Sequence, residues 1–121
     1  MFRIAKRFDF SASHQLAGLP EGHQCSRLHG HNYSITLTLE AQDLDGKGMI
    51  RDYGELDGVK QMLDAYCEHR HLNDVFDFNP TAENMARYFY QRFKGAFPEL
   101  ICVSVKETEK TTAEYHVLLT S

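Results

Sequence analysis

Between His29 and Ala41 the chain alternates with a period of two, and this run limits the fold more than any other feature. Ile35, Leu37 and Leu39 form an apolar row on the odd positions, while Ser34, Thr36, Thr38 and Glu40 form a polar row between them. That is the signature of a half-buried strand, predicted here over 27–41. Alternate side chains of a strand share a face, so His29 and His31 belong to the same parity as the apolar row. Both imidazoles therefore point to the buried side, close enough to grip one ion. Gly30 lies between them on the opposite face, where a missing side chain lets a backbone or a ligand approach.

A second alternating run precedes it. Phe2, Ile4, Phe8, Phe10, Ala12 and His14 share the even parity, interrupted only by Lys6. This predicts a strand over 2–14 that ends on a histidine of its apolar face. If the two strands pair as neighbours, His14 meets His29 and His31. Three neutral imidazoles without an obvious fourth ligand describe a catalytic zinc with an open position. The competing arrangement is a closed structural zinc, with Cys25 or His23 as the fourth ligand.

The chain has 121 residues, of which 42% are hydrophobic and 25% charged. This suits one domain, 1–121, with a small core. No apolar run is long enough to span a bilayer, and the N-terminus lacks the apolar stretch of a secretory signal. A formal net charge of −4 argues against a general nucleic-acid binder, which needs a basic footprint. Three cysteines, Cys25, Cys67 and Cys102, form no disulfide framework and point to a reducing cytoplasm. Cys67 and Cys102 fall in helix and strand patterns as packing thiols, whereas Cys25 lies in a polar loop beside histidines.

The loop 16–28 is punctuated by Gly18, Pro20 and Gly22. After a turn at 43–48, Met49 and Ile50 are expected to continue briefly as strand. Asp52 is expected to cap a helix with Leu56, Val59, Met62, Leu63 and Tyr66 inward. A second helix is expected from Asn79 as N-cap and Pro80 as first helical residue, ending at Gly95 and Pro98. Strands are expected over 100–107 and 113–120. The order ββααββ predicts an α+β fold, a four-stranded antiparallel sheet with two helices on one face. Such a sheet leaves two edges to cover, and oligomerisation is one way to do so.

The chain resembles the 6-pyruvoyltetrahydropterin synthase family, most specifically its bacterial 6-carboxytetrahydropterin synthase branch of the queuosine pathway. The resemblance runs through Phe10-Ser11-Ala12-Ser13-His14, Cys25-x-x-x-His29-Gly30-His31-Asn32-Tyr33, Gly48-Met49-Ile50-x-Asp52-Tyr53, His69-x-x-Leu72-Asn73, Pro80-Thr81-x-Glu83-Asn84 and Val105-x-Glu107-Thr108. The three-residue gap after Cys25 looks like the bacterial branch. Cys25 itself differs from the branch that carries a glutamate there and cleaves like an aldolase.

The resemblance implies a T-fold subunit, with three sheets joined into a barrel, two barrels stacked as a homohexamer, and active sites between subunits. It implies conversion of 7,8-dihydroneopterin triphosphate to 6-carboxy-5,6,7,8-tetrahydropterin, acetaldehyde and triphosphate. His14, His29 and His31 would hold Zn2+, and Cys25 would be the base. Glu68 and His69 match the family's Asp-His pair, with glutamate replacing aspartate, and His71 could replace or supplement His69. Glu107 would anchor the pterin through its amino group and ring nitrogen, with Thr81 nearby. Arg27, Arg70, Lys106 and Lys110 are the cations available to the triphosphate. Two rival readings are a 6-pyruvoyltetrahydropterin synthase and a non-catalytic pterin-binding module with structural zinc.

Overall fold

A computed structural model describes residues 1–118. Strand β1 (Phe2–His14) and strand β2 (His29–Ala41) come first. They are followed by helices α1 (Asp57–Tyr66), α2 (Leu72–Val75) and α3 (Ala82–Lys94), then strands β3 (Leu100–Thr108) and β4 (Thr111–His116). The strands form one antiparallel sheet in the order β1-β2-β3-β4. The α+β architecture and the sheet match the expectation, and the one-turn helix α2 adds to the two expected helices.

The parity of the first two strands decides which sheet face is buried. Phe8, Phe10, Ala12 and His14 of β1 and Tyr33, Ile35, Leu37 and Leu39 of β2 all lie in the core. Against them pack Val59, Met62 and Leu63 of α1 and Met85, Ala86, Phe89 and Phe93 of α3. Each fully buried large apolar side chain contributes about 1.5–3 kcal/mol. Lys6 interrupts the apolar row where the start of α1 passes over the strand. Its ammonium lies 3.2 Å from Asp57 Oδ1 and 3.2 Å from the Tyr53 carbonyl.

Several boundaries differ from expectation for local reasons. β2 starts at His29, because the Arg27 N–H closes a short turn onto Gln24. Met49 and Ile50 form no strand, since Asp45 takes up Met49 instead: its N–H donates to the Met49 carbonyl and its Oδ1 accepts from Met49 N. Asp52 caps a 3-10 turn, Tyr53–Leu56, ahead of α1. The N-cap of α3 is Thr81 rather than Asn79, with Oγ1 accepting from Asn84 N at 3.1 Å. β4 begins at Thr111 and ends at His116; the expected continuation through 119–120 lies outside the described residues.

β1 and β4 are the sheet edges. Near its C-terminal end β1 is covered by the segment after α1. His69 N donates to Ser11 O (2.7 Å), Ser13 N donates to Arg70 O (3.0 Å), and Ser13 and His71 form a parallel bridge.

Candidate metal centre and its clefts

The β1–β2 register sets His14 directly opposite His29 and Ala12 opposite His31. Because all three histidines point to the core face, their rings crowd together, with centroids 4.4, 5.0 and 4.8 Å apart. One nitrogen from each lies within 4.8 Å of the others. His14 is fully buried, and His29 and His31 are half-buried.

The hydrogen bonds fix which nitrogens are free. His14 Nδ1 lies 2.8 Å from the Pro80 carbonyl, and His29 Nδ1 lies 2.7 Å from the Arg27 carbonyl. A carbonyl only accepts, so both Nδ1 atoms carry the proton. In the neutral rings both Nε2 atoms then present lone pairs, and these face each other at 2.8 Å. Two lone pairs at that distance repel unless a cation sits between them. His31 Nε2 is buried with no hydrogen-bond partner, at 3.6 Å from Glu107 Oε2. Burial, joined by the neighbouring imidazoles, holds His14 and His31 below the ordinary histidine pKa. For His14 this outweighs the Pro80 bond and Glu107. Neutral rings are the metal-binding form. A three-nitrogen set, two of them oriented by carbonyls, suits zinc.

The group that could hold an ion consists, among the described residues, of the three histidines alone; Cys25 and His23 do not join it. Cys25 sits half-buried in a short turn, its N–H donating to His23 Nδ1 (3.0 Å) and its carbonyl accepting from Leu16 N (3.2 Å). Cys67 is buried and its thiol is pushed up to about 12 by desolvation. Cys102 is half-buried and also raised, by burial and then by Glu114.

Two clefts lie by the cluster, one linked to it through Glu107 and the other lined by His31. One, of about 630 Å³, is lined by both Glu107 and Thr81, together with Val105, Thr111 and Thr112. Glu107 shares the inward parity of Val103 and Val105, as its position in the strand required. The other, of about 480 Å³, lies between the C-terminal end of β1 and residues 69–71, lined by Ser13, Gly30, His31, His69 and His71. His69 takes a left-handed backbone (φ 56°), the one such non-glycine residue among those described. That conformation costs energy outside glycine, and histidine is among the residues that tolerate it best. The Glu68 carboxylate bridges the turn: Oε1 accepts from Ser11 N at 3.1 Å and lies 3.2 Å from His69 Nε2. The carboxylate thus reaches an imidazole that is itself largely exposed to solvent. His71 lines the same cleft, with Nδ1 3.0 Å from Ser13 Oγ.

Sequence reasoning did not single out Tyr33. Its ring lies 5.8 Å from His14 and 5.4 Å from His31, and its hydroxyl is buried without a partner. Burial first, and then Glu107, keep it a neutral phenol far above its ordinary pKa. Its odd parity beside His31 was the available signal. The carbonyls of Arg27 and Pro80 were missed too, and no side-chain pattern announces a backbone acceptor.

Comparison with known proteins agrees over most of the chain. The family model for 6-pyruvoyl tetrahydropterin synthase matches residues 3–117. A 6-carboxy-5,6,7,8-tetrahydropterin synthase of Synechocystis is 32% identical over 122 residues, covering 95% of this chain and 93% of the relative. A dihydroneopterin monophosphate aldolase of Pyrococcus furiosus is 34% identical over 96 residues, covering 79% and 78%. The solved 6-pyruvoyl tetrahydropterin synthase of Caenorhabditis elegans superposes with a TM-score of 0.84 at 25% identity, covering 97% of this chain and 96% of that one.

Proposed function

The chain belongs to the 6-pyruvoyl tetrahydropterin synthase family, and from that we propose that it is a zinc-dependent lyase. In this reading it converts 7,8-dihydroneopterin triphosphate and water to 6-carboxy-5,6,7,8-tetrahydropterin, acetaldehyde and triphosphate, a step toward queuosine in the cytoplasm. The observation that carries the metal is the pair of facing Nε2 lone pairs at 2.8 Å beside an unpartnered third imidazole. The residues present fit a zinc held by His14, His29 and His31. A zinc ion there would supply a Lewis acid for the substrate's side-chain oxygens and stabilise negative charge as carbon-bound protons leave.

The chain's own groups handle those protons. Cys25 takes a proton from a hydroxyl-bearing side-chain carbon, which requires its thiolate. His69, oriented by the Glu68 carboxylate 3.2 Å away, exchanges protons with the side-chain oxygens. Glu107 accepts hydrogen bonds from the pterin amino group and ring nitrogen, and the Thr81 hydroxyl on the same cleft wall steadies the ring. In this reading the pterin enters the cleft that Glu107 and Thr81 line.

Among the described residues, the β4 edge and the part of the β1 edge that residues 69–71 leave uncovered support assembly as a homohexamer with shared sites. Light scattering should then return six times the 13.9 kDa chain mass. No described helix is long and apolar enough to cross a membrane.

The deciding experiment is incubation of the zinc-loaded protein with 7,8-dihydroneopterin triphosphate. Acetaldehyde with a 6-carboxypterin supports the proposal. A 6-pyruvoyl product without acetaldehyde would replace it with the synthase reading. Release of the two terminal side-chain carbons as a glycolaldehyde phosphate would replace it with aldolase chemistry, which the Pyrococcus likeness makes the second reading.

A further inference from the structure

β1 ends at His14, but the chain beyond it stays hydrogen-bonded in an unusual way. Gln15 N donates to Asn73 Oδ1 (2.8 Å), and Asn73 Nδ2 donates back to Gln15 O (2.8 Å). Two residues on, Ala17 N donates to Asn79 Oδ1 (3.0 Å), and Asn79 Nδ2 donates back to Ala17 O (3.2 Å). A carboxamide carries the same donor and acceptor as a peptide group. Each asparagine therefore reproduces the reciprocal pair of bonds that a neighbouring antiparallel strand would make. Together with the backbone of residues 69–71, the two amides continue the edge of β1 where no strand exists.

The residue between the two clamped ones faces the other way. Leu16 N donates to Cys25 O (3.2 Å), and Gln15 Nε2 donates to Ser26 O (2.9 Å). The same three residues, 15–17, are thus held by two amides on one side and hold the Cys25 turn on the other. Without the clamps, nothing in these bonds fixes the direction in which Leu16 N points.

We propose that Asn73 and Asn79 are positioning residues: they act as a surrogate strand that orients residues 15–17, and through Leu16 and Gln15 they set where the Cys25 turn sits. Their place argues against a purely stabilising role, because Asn73 is solvent-exposed and neither residue belongs to the core. The kinetic part of this inference rests on the role proposed for Cys25; the structural part does not.

The test measures both parts on the zinc-loaded, full-length protein. In Asn73→Ala, amide exchange at Leu16 and across the peptide containing Cys25 should rise about ten-fold, the effect of losing about 1.4 kcal/mol of local closing free energy. Site-resolved alkylation of the half-buried Cys25 thiol by a neutral reagent should quicken several-fold, while zinc content stays at the wild-type level. Turnover should fall by a similar factor with KM little changed. Asn73→Asp keeps the acceptor for Gln15 N–H and loses the donor, so it should fall between the two. It also serves if the alanine variant fails to fold, with Gln15→Ala as the independent check on the Ser26 bond. Unchanged exchange and alkylation in the Asn73 and Asn79 variants would overturn the inference, whatever the activity. Faster exchange with undiminished turnover would overturn the positioning role. If the wild type lacks the proposed reaction, exchange and alkylation alone still decide the structural part.

Discussion

Replacing His29 with alanine separates a metal site from an ordinary buried histidine cluster. In the metal-free protein the facing His14 and His29 Nε2 lone pairs, 2.8 Å apart, are a source of repulsion, so removing one imidazole relieves it. What is lost is the bond from His29 Nδ1 to the Arg27 carbonyl, a net contribution of about 1 kcal/mol. These effects oppose each other, and the metal-free variant should melt within about 5 °C of wild type. Zinc changes the comparison. At about one hundred times its dissociation constant an ion stabilises the native state by about 2.7 kcal/mol. For a chain of this length that corresponds to an upward shift of about 8–13 °C. Wild type should show that shift by differential scanning fluorimetry with and without zinc, and His29→Ala should show almost none. A variant that keeps the zinc-dependent shift would refute the three-histidine site. A variant whose metal-free form melts more than about 10 °C lower would refute the lone-pair argument, because the imidazole would then be a structural residue.

Other outcomes follow from the same geometry. Cys25→Ala should retain zinc by metal analysis and lose turnover by about 10²-fold or more, the usual scale for a proton-transferring group. Glu107→Gln should raise KM for the pterin by about 10- to 100-fold, corresponding to about 1.5–3 kcal/mol for hydrogen bonds to a charged acceptor, with zinc content unchanged. The metal-free protein should lose stability in acid. His31 is held below the ordinary histidine value of 6.5, chiefly by burial. The unfolded chain therefore binds more protons in the window between its folded pKa and about 6.5. Its contribution is complete above that window and is lost as pH falls through it, so the melting temperature should drop as the buffer is taken from neutral to mildly acidic. His31→Asn should flatten that slope.

What the sequence made legible was whatever depends on parity. Phe10, Ala12 and His14 on one strand and His31, Tyr33 and Ile35 on the next must share a face once the strands pair, and the buried row confirms it. The meeting of His14 with His29 was expected only if the two strands paired as neighbours, which the antiparallel register makes so. Glu107 could be placed inward for the same reason, two residues beyond Val105. The order of elements also followed, because the helical stripes of α1 and α3 are long enough to be distinguished from strands by their period.

What escaped was decided by backbone groups competing for partners. Asn79 before Pro80 has the residue types of a helix start, yet its side chain is drawn away to Ala17 and Thr81 caps α3 instead. That exchange of roles has a consequence for the candidate metal site. Moving the cap to Thr81 leaves Pro80 outside the helix, and the Pro80 carbonyl is then free to accept from His14 Nδ1. Had Pro80 been the first helical residue, as its type invited, its carbonyl would point along the helix axis toward the residue four positions on. His14 would then lose the acceptor that fixes its tautomer. One side chain's choice of partner therefore sets both the loop beyond β1 and the orientation of the His14 ring. Asn79→Asp, which keeps its oxygen and loses its amide protons, should weaken the hold on Ala17 O while leaving the cap at Thr81 and zinc binding in place. If zinc affinity falls as steeply as in a ligand variant, the asparagine holds the metal site through Pro80 as well as the loop, and the two roles are not separable in the way these bonds require.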